Sequence, residues 1–317
     1  MGFNIITIII SVVALVFGFL MLVKGSDYFV EGASGFAARL GIPQLIIGLT
    51  IVAMGTSFPE AAVSITAAFK GNADITIGNI VGSNILNTFI ILGITSLIIP
   101  VAVAKSTVMY EIPFMIICSA VLLVMGLDNK ITFIEGVILW ILFVCYLVYL
   151  FFNSKNNKEQ KEEDDEKKKV KGWMLILYVV GGIAAIIVGS KLAVYGATEL
   201  ARIIGMSERF IGLTLVALGT SLPELFTSVV AAKKGNADIA IGNIVGSNIF
   251  NILFIVGTTA LLTVVPYDKK FIIDSGIMII SAIVLFACVV KTKKLTRLSG
   301  AIMLFSYCGY FVFLLFN

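Results

Sequence analysis

Apolar runs of about twenty residues, each long enough to cross a bilayer as a helix, follow one another along almost the whole chain with short polar breaks between them. Ten stand out, at about 4–24, 44–69, 74–99, 108–127, 131–152, 172–194, 208–233, 238–264, 271–290 and 298–316. Backbone groups left unpaired cannot face lipid, so the runs predict an all-α integral membrane protein of ten transmembrane helices. The pattern lapses once, in the stretch SKNNKEQKEEDDEKKKVK at 154–171, which mixes both charge signs and reads as a solvated linker. Its acidic run, Glu162 to Glu166, lacks the glycine turn and spaced ligands of a calcium loop. The linker separates a first five-helix repeat at 1–153 from a second at 172–317.

Composition agrees with the pattern and narrows the chemistry. Hydrophobic residues make up 59% of the 317 and charged residues 13%, where a soluble domain carries roughly a quarter. The first run, Ile5 to Val23, follows MGFN without a basic segment or a small-residue cleavage site, which predicts a retained span rather than a leader. Cys118, Cys145, Cys288 and Cys308 each stand alone in an apolar run and are assigned to packing. Histidine is absent, which removes the commonest transition-metal ligand and the usual proton carrier near neutral pH. Neither a cofactor nor a nucleic-acid partner is expected, and the chain is expected to act as a monomer in the cell membrane. Sixteen of the 23 basic residues, among them Lys24, Arg39, Lys105 and the linker lysines, fall beyond the odd-numbered spans. The positive-inside bias therefore predicts extracellular termini and a cytoplasmic linker.

The chain is duplicated. Residues 48–87, GLTIVAMGTSFPEAAVSITAAFKGNADITIGNIVGSNILN, align without a gap on 212–251, GLTLVALGTSLPELFTSVVAAKKGNADIAIGNIVGSNIFN, and 29 of the 40 positions are identical at a constant offset of 164. Each copy covers the second and third spans of a half. Five spans per half is an odd number, so the second half enters the membrane from the opposite side and the repeats are inverted. Inverted repeats place matching residues about an axis in the membrane plane, where secondary transporters bind their substrates at broken helices.

Glu60 and Glu224 occupy matching positions in mid-span. A carboxylate there costs at least roughly 2.5–3.5 kcal/mol on insertion scales. No lysine or arginine occurs between Gly48 and Phe69 or between Gly212 and Ala232 to pair with either acid, so each calls for a bound cation or a proton. Pro59 and Pro223 precede them and collide with the carbonyls of Gly55 and Gly219, which predicts a kink and free carbonyls around Gly55, Thr56, Gly219 and Thr220. In the next span Asn79, Ser83 and Asn87 share a helix face, and Asn243, Ser247 and Asn251 repeat it. Ser83, Asn87, Ser247 and Asn251 are assigned to ion ligation, whereas Asn84 and Asn248 point further round and suit helix–helix contact. An all-oxygen set with two carboxylates suits a hard cation such as calcium, which takes about 6–8 oxygens, and sodium can use the same atoms.

The paired GTSFPE and GTSLPE segments, followed by GNIVGSNILN and GNIVGSNIFN, resemble the two alpha-repeats of the sodium/calcium exchanger family, in the broader cation/calcium exchanger superfamily. The short prokaryotic members, which lack a large cytosolic loop domain, are the most similar. The resemblance implies an antiporter with Glu60 and Glu224 as central ligands shared by calcium and sodium. It implies hydroxyls or carbonyls from Thr56, Ser57, Thr220 and Ser221, outlying sodium sites at Ser83 and Ser247, and Asn87 and Asn251 bordering the middle. Exchange of three sodium ions for one calcium, also an implication of the resemblance, would carry net charge. Some relatives have aspartate at the position of Asn251; asparagine there argues against potassium co-transport. The long first and sixth spans, ending near Gly32 and Gly196, would slide across the core to open one side at a time.

Three rival functions fit these residues less well. A calcium/proton exchanger would load the two glutamates with protons, which the missing histidines and the asparagines at 87 and 251 disfavour. A passive cation channel fits inverted, kinked helices less well than alternating access does. An intramembrane enzyme has least support, since Ser57 and Ser221 have no histidine or lysine base nearby and the sites are duplicated.

Overall fold

The computed structural model describes residues 5–156, 171–205 and 217–316. Most of the predicted linker, 157–170, lies outside the described residues, as do the start of the predicted span at 208–233 and the first five positions of the second repeat copy. The first half contains α1 (Ile5–Leu40), α2 (Gln44–Thr56), α3 (Phe58–Phe69), α4 (Ile75–Ile98), α5 (Thr107–Asp128) and α6 (Phe133–Asn156). The second half repeats them as α7 (Gly172–Ile203), α8 (Ala217–Thr220), α9 (Leu222–Lys233), α10 (Ala237–Leu262), α11 (Lys270–Val289) and α12 (Arg297–Phe316). Among the described residues eight helices are long and apolar enough to span a membrane, and α2 with α3, bent by 49°, makes a ninth. The remaining predicted span is seen from Ala217 onward as α8 and α9.

Two spans are much longer than their apolar runs. α1 has 36 residues and α7 has 32, against predicted spans of 4–24 and 172–194. At 1.5 Å per residue α1 is about 54 Å long, far beyond a hydrocarbon layer of about 30 Å, so it must tilt or project past that layer. Lys24 is therefore a helical residue of α1 rather than a loop residue. Glycine explains how these helices meet. α1 and α7 run antiparallel, and a Cβ on Gly18 would stand 2.7 Å from the carbonyl oxygen of Gly189, while one on Gly182 would stand 2.8 Å from that of Gly25. Gly18, Gly25 and Gly32 repeat every seven residues, and Gly182, Gly189 and Gly196 do so at the same offset of 164, which extends the duplication well upstream of the matched copies.

Inversion is visible in the loops. Four two-residue strands, β1 (Val101–Ala102), β2 (Lys130–Ile131), β3 (Val265–Pro266) and β4 (Lys294–Leu295), form two antiparallel clasps, β1 with β4 and β2 with β3. By the 164-residue offset β3 is the counterpart of β1 and β4 of β2. β1 and β2 cap opposite ends of α5, so each clasp joins the third loop of one half to the fourth loop of the other. Only halves of opposite orientation allow that. α4 and α10 form the buried centre, while α1, α6, α7, α11 and α12 turn large apolar side chains outward, as lipid-facing helices do.

Candidate cation site

The same local chemistry builds each broken helix. Pro59 has no amide hydrogen, so the Gly55 carbonyl loses the partner an unbroken helix would supply, and Pro223 does the same at Gly219. The chain breaks at Ser57, with φ −82° and ψ 6°, and at Ser221, with φ −88° and ψ 0°, both in the bridge region. Each proline then falls in the first turn of the next helix, where a missing N–H is harmless. Glu60 and Glu224 follow in that same turn, at the positive end of the α3 and α9 dipoles.

The breaks from the two halves meet. Ser57 Oγ donates to Glu224 Oε1 at 3.0 Å. Thr56 lies beside Glu224 and Thr220 beside Glu60, and the two carboxylates are near enough to repel one another. Asparagines brace both breaks in the same way: Asn79 Nδ2 donates to the Glu60 carbonyl at 3.2 Å and to Ser64 Oγ at 2.9 Å, and Asn243 Nδ2 donates to the Glu224 carbonyl at 3.3 Å and to Ser228 Oγ at 2.9 Å. Thr56 Oγ1 adds a bond to Asn243 Oδ1 at 2.9 Å.

A second set of amides joins α4 to α10. Asn84 Nδ2 donates to the Asn248 carbonyl at 3.1 Å, and Asn248 Nδ2 to Thr88 Oγ1 at 3.0 Å. Their side-chain oxygens hold the neighbouring asparagines: Asn87 Nδ2 donates to Asn248 Oδ1 at 3.1 Å and Asn251 Nδ2 to Asn84 Oδ1 at 3.0 Å. Asn84 and Asn248 thus join the helices, as expected, and do something the sequence did not reveal. By taking the amide hydrogens of Asn87 and Asn251, they leave the two Oδ1 atoms free. Widened π-helical turns begin at Asn87 and Asn251, and pack against α9 and α3 respectively.

What remains is a pocket of acceptors. Glu60 and Glu224 are fully buried, and both oxygens of Glu60, Oε2 of Glu224 and Oδ1 of Asn87 and Asn251 have no hydrogen-bond partner. Buried acceptors left this way cost about 1–3 kcal/mol each, more when charged, unless a cation or a proton satisfies them. Ser221 is buried with a free hydroxyl, Ser83 is buried on α4, and Ser247 Oγ donates to the Ala53 carbonyl at 3.3 Å. The described residues gather no group of three His, Cys, Asp or Glu side chains; this centre is two carboxylates among neutral oxygens. One expected ligand is otherwise engaged: Ser190 Oγ of α7 donates to the freed Gly219 carbonyl at 2.6 Å.

The approaches to the site differ at its two ends. α1 lies along α9, with the rings of Phe19 and Phe226 5.8 Å apart, Ser26 Oγ 3.4 Å from Thr227 Oγ1, and Lys234 Nζ 3.4 Å from Asp27 Oδ1 and 3.9 Å from Glu31 Oε2. The counterpart helices, α7 and α3, make no comparable contact.

Inverted repeats whose broken helices meet at two buried acids define the architecture of a secondary transporter. The family model described as sodium/calcium exchanger protein matches residues 10–152 and again 174–316, and the chain belongs to that family. The sodium/calcium exchanger MaX1 of Methanosarcina acetivorans is 31% identical over 98% of this chain and 99% of its own length. The inner membrane protein YrbG of Escherichia coli is 34% identical over 87% of each chain. Among solved structures, the sodium-calcium exchanger NCX_Mj soaked with zero Na+ and Ca2+ superposes with a TM-score of 0.84 at 30% identity, covering 97% of this chain and 99% of that one.

Proposed function

We propose that the chain exchanges calcium for sodium by alternating access at the site between the two halves. The observation that carries this reading is the set of buried, partnerless acceptor oxygens on Glu60, Glu224, Asn87 and Asn251. Thr56, Ser57, Thr220, Ser221, Ser83 and Ser247 complete the proposed ligand set. Two carboxylates balance one calcium ion, whereas three sodium ions leave one excess positive charge, so the exchange is electrogenic. Asparagine at both 87 and 251 supplies no third carboxylate and fits transport without potassium. The long pair α1 and α7 is the moving element, and its contact with α9, unmatched at the counterpart helix α3, fits a state with one end closed.

The protein is assigned to the cell membrane as a monomer, with extracellular termini and a cytoplasmic linker. With Lys24 and Lys191 counted as helical, fifteen basic residues still lie on the linker side against six opposite.

Calcium uptake into liposomes, driven by an imposed sodium gradient in one arm and an imposed pH gradient in the other, tests the counter-ion. Sodium-driven uptake that moves charge is expected. Uptake driven only by the pH gradient would make the chain a calcium/proton exchanger, and flux persisting without any counter-ion gradient would make it a channel.

A further inference from the structure

One buried acid plays no part in the cation site. Glu111 lies in a π-helical turn at the start of α5, is 1% exposed, and accepts a hydrogen bond from Tyr149 OH through Oε1 at 2.9 Å. Its Oε2 has no partner, nor does the buried hydroxyl of Tyr146. Both residues line a cavity of about 380 Å³ whose other walls include Tyr110, Phe114, Ile117 and Leu142. Tyr110 and Ile117 are more than half exposed on a membrane-spanning helix, so the cavity opens toward lipid rather than toward the ion pathway.

The second half shows how such an acid is ordinarily compensated. There Asp274 accepts from Tyr310 OH at 2.9 Å, between the corresponding helices, and Lys270 stands one turn away. Glu111 has no such cation, and among the described residues no ion pair reaches it. An occupant from the bilayer that carries a positive group with N–H donors and an apolar body would supply the missing charge. Depth agrees. Glu111 is four residues from the start of its span, about 6 Å along the axis, at the boundary between headgroups and hydrocarbon. Tyr110, Tyr146 and Tyr149 form an aromatic rim at the same level, and Lys105 is exposed at that end of the helix, where a lipid phosphate would lie.

We propose that the cavity beside Glu111 binds an ethanolamine phospholipid of the linker-side leaflet, its primary ammonium on Glu111 Oε2 and an acyl chain along Phe114, Ile117 and Leu142. A primary ammonium donates the hydrogen bond that Oε2 lacks; a quaternary one cannot, although it can still lie against the aromatic rings.

The test is lipid retention by the purified full-length protein in native mass spectrometry. The probes are dioleoyl phosphatidylethanolamine, its mono- and dimethyl derivatives, and dioleoyl phosphatidylcholine. Retention should fall along that methylation series, by about tenfold from end to end, the ratio that one charge-assisted hydrogen bond supports. Glu111→Gln should flatten the series, while Asp274→Asn should leave it intact. Equal retention of the four lipids by the unmodified protein overturns the proposal whether or not the variants fold, and so does an unchanged series in a folded Glu111→Gln protein. Retention is read without transport, so the result does not depend on which ions are exchanged.

Discussion

The centre and the rim of this molecule treat its duplication differently. At the centre the two halves repeat each other's asparagine bonds: Asn79 and Asn243 brace Glu60 and Glu224 at nearly equal distances, and Asn87 and Asn251 each give their amide hydrogens to the opposite half. At the rim the symmetry is lost. Lys234 reaches Asp27 and Glu31 on α1, but the residues 164 positions away are Lys70, Lys191 and Tyr195, a set without opposite charges. Phe19 and Phe226 touch where their counterparts are Ile183 and Ala62. Under the proposed alternating access, a central site of largely matched parts would face either side of the membrane with similar affinity, while an unmatched rim would bias which side is open.

The largest test of this contrast removes one central acid at a time. Glu60→Gln and Glu224→Gln should each abolish sodium-driven calcium flux in liposomes. Losing one partner from a buried charged set costs about 3 kcal/mol or more, roughly a hundredfold. If one half tolerated the change, the centre would not be functionally symmetric. Next in size is packing. A Cβ on Gly246 would stand 2.6 Å from the Leu49 carbonyl oxygen and 2.8 Å from Ala53 Cβ, so Gly246→Val should lower stability by about 1–3 kcal/mol, read as melting temperature in detergent. Gly181→Ala, on an open lipid-facing position, should leave the melting temperature unchanged or slightly raised.

Smaller effects are expected at the positioning amides. Asn248→Ala removes the acceptor for Asn87 Nδ2 and should weaken apparent calcium affinity about tenfold with a lesser change in maximal rate, since one hydrogen bond near a charge is lost. Asn84→Ala should match it through Asn251. The least change belongs to the rim. Lys234→Ala should alter the ratio of apparent calcium affinities measured from the two faces of oriented vesicles by less than about fivefold, the scale of a partly exposed ion pair. Lys70→Ala should leave that ratio alone; equal effects from the two lysines would erase the contrast between centre and rim.

Much of the site was legible because its chemistry is local or duplicated. Two acids without basic partners, each after a proline, announce broken helices, and the structure breaks there, at Ser57 and Ser221, two residues before each proline. The glycine heptads of α1 and α7 were also present in the sequence, at the offset already found, but lay outside the strongly matched segment. Other features had no local signal. Ser190 takes the Gly219 carbonyl from a helix 29 residues away, and Asn84 meets Asn248 across 164 residues. Helices α1 and α7 outrun their apolar segments because hydropathy falls before the helix does: residues 25–40 of α1 include Ser26, Asp27, Glu31, Ser34 and Arg39, and the helix continues through them where protein replaces lipid as its neighbour.

By itself the sequence determined the solvent, the number of spans, the duplication and the two acids, since these follow from the hydropathy of single segments and from self-similarity along one line. Only the tertiary structure decided which oxygens stay free, because that depends on where every competing hydrogen goes. Asn87 and Asn84 carry the same side chain three residues apart, yet one keeps an unpaired oxygen and the other gives its own to Asn251. The same holds for the difference between the two ends: charges that are merely present in the sequence act on it only once α1 has come to lie along α9.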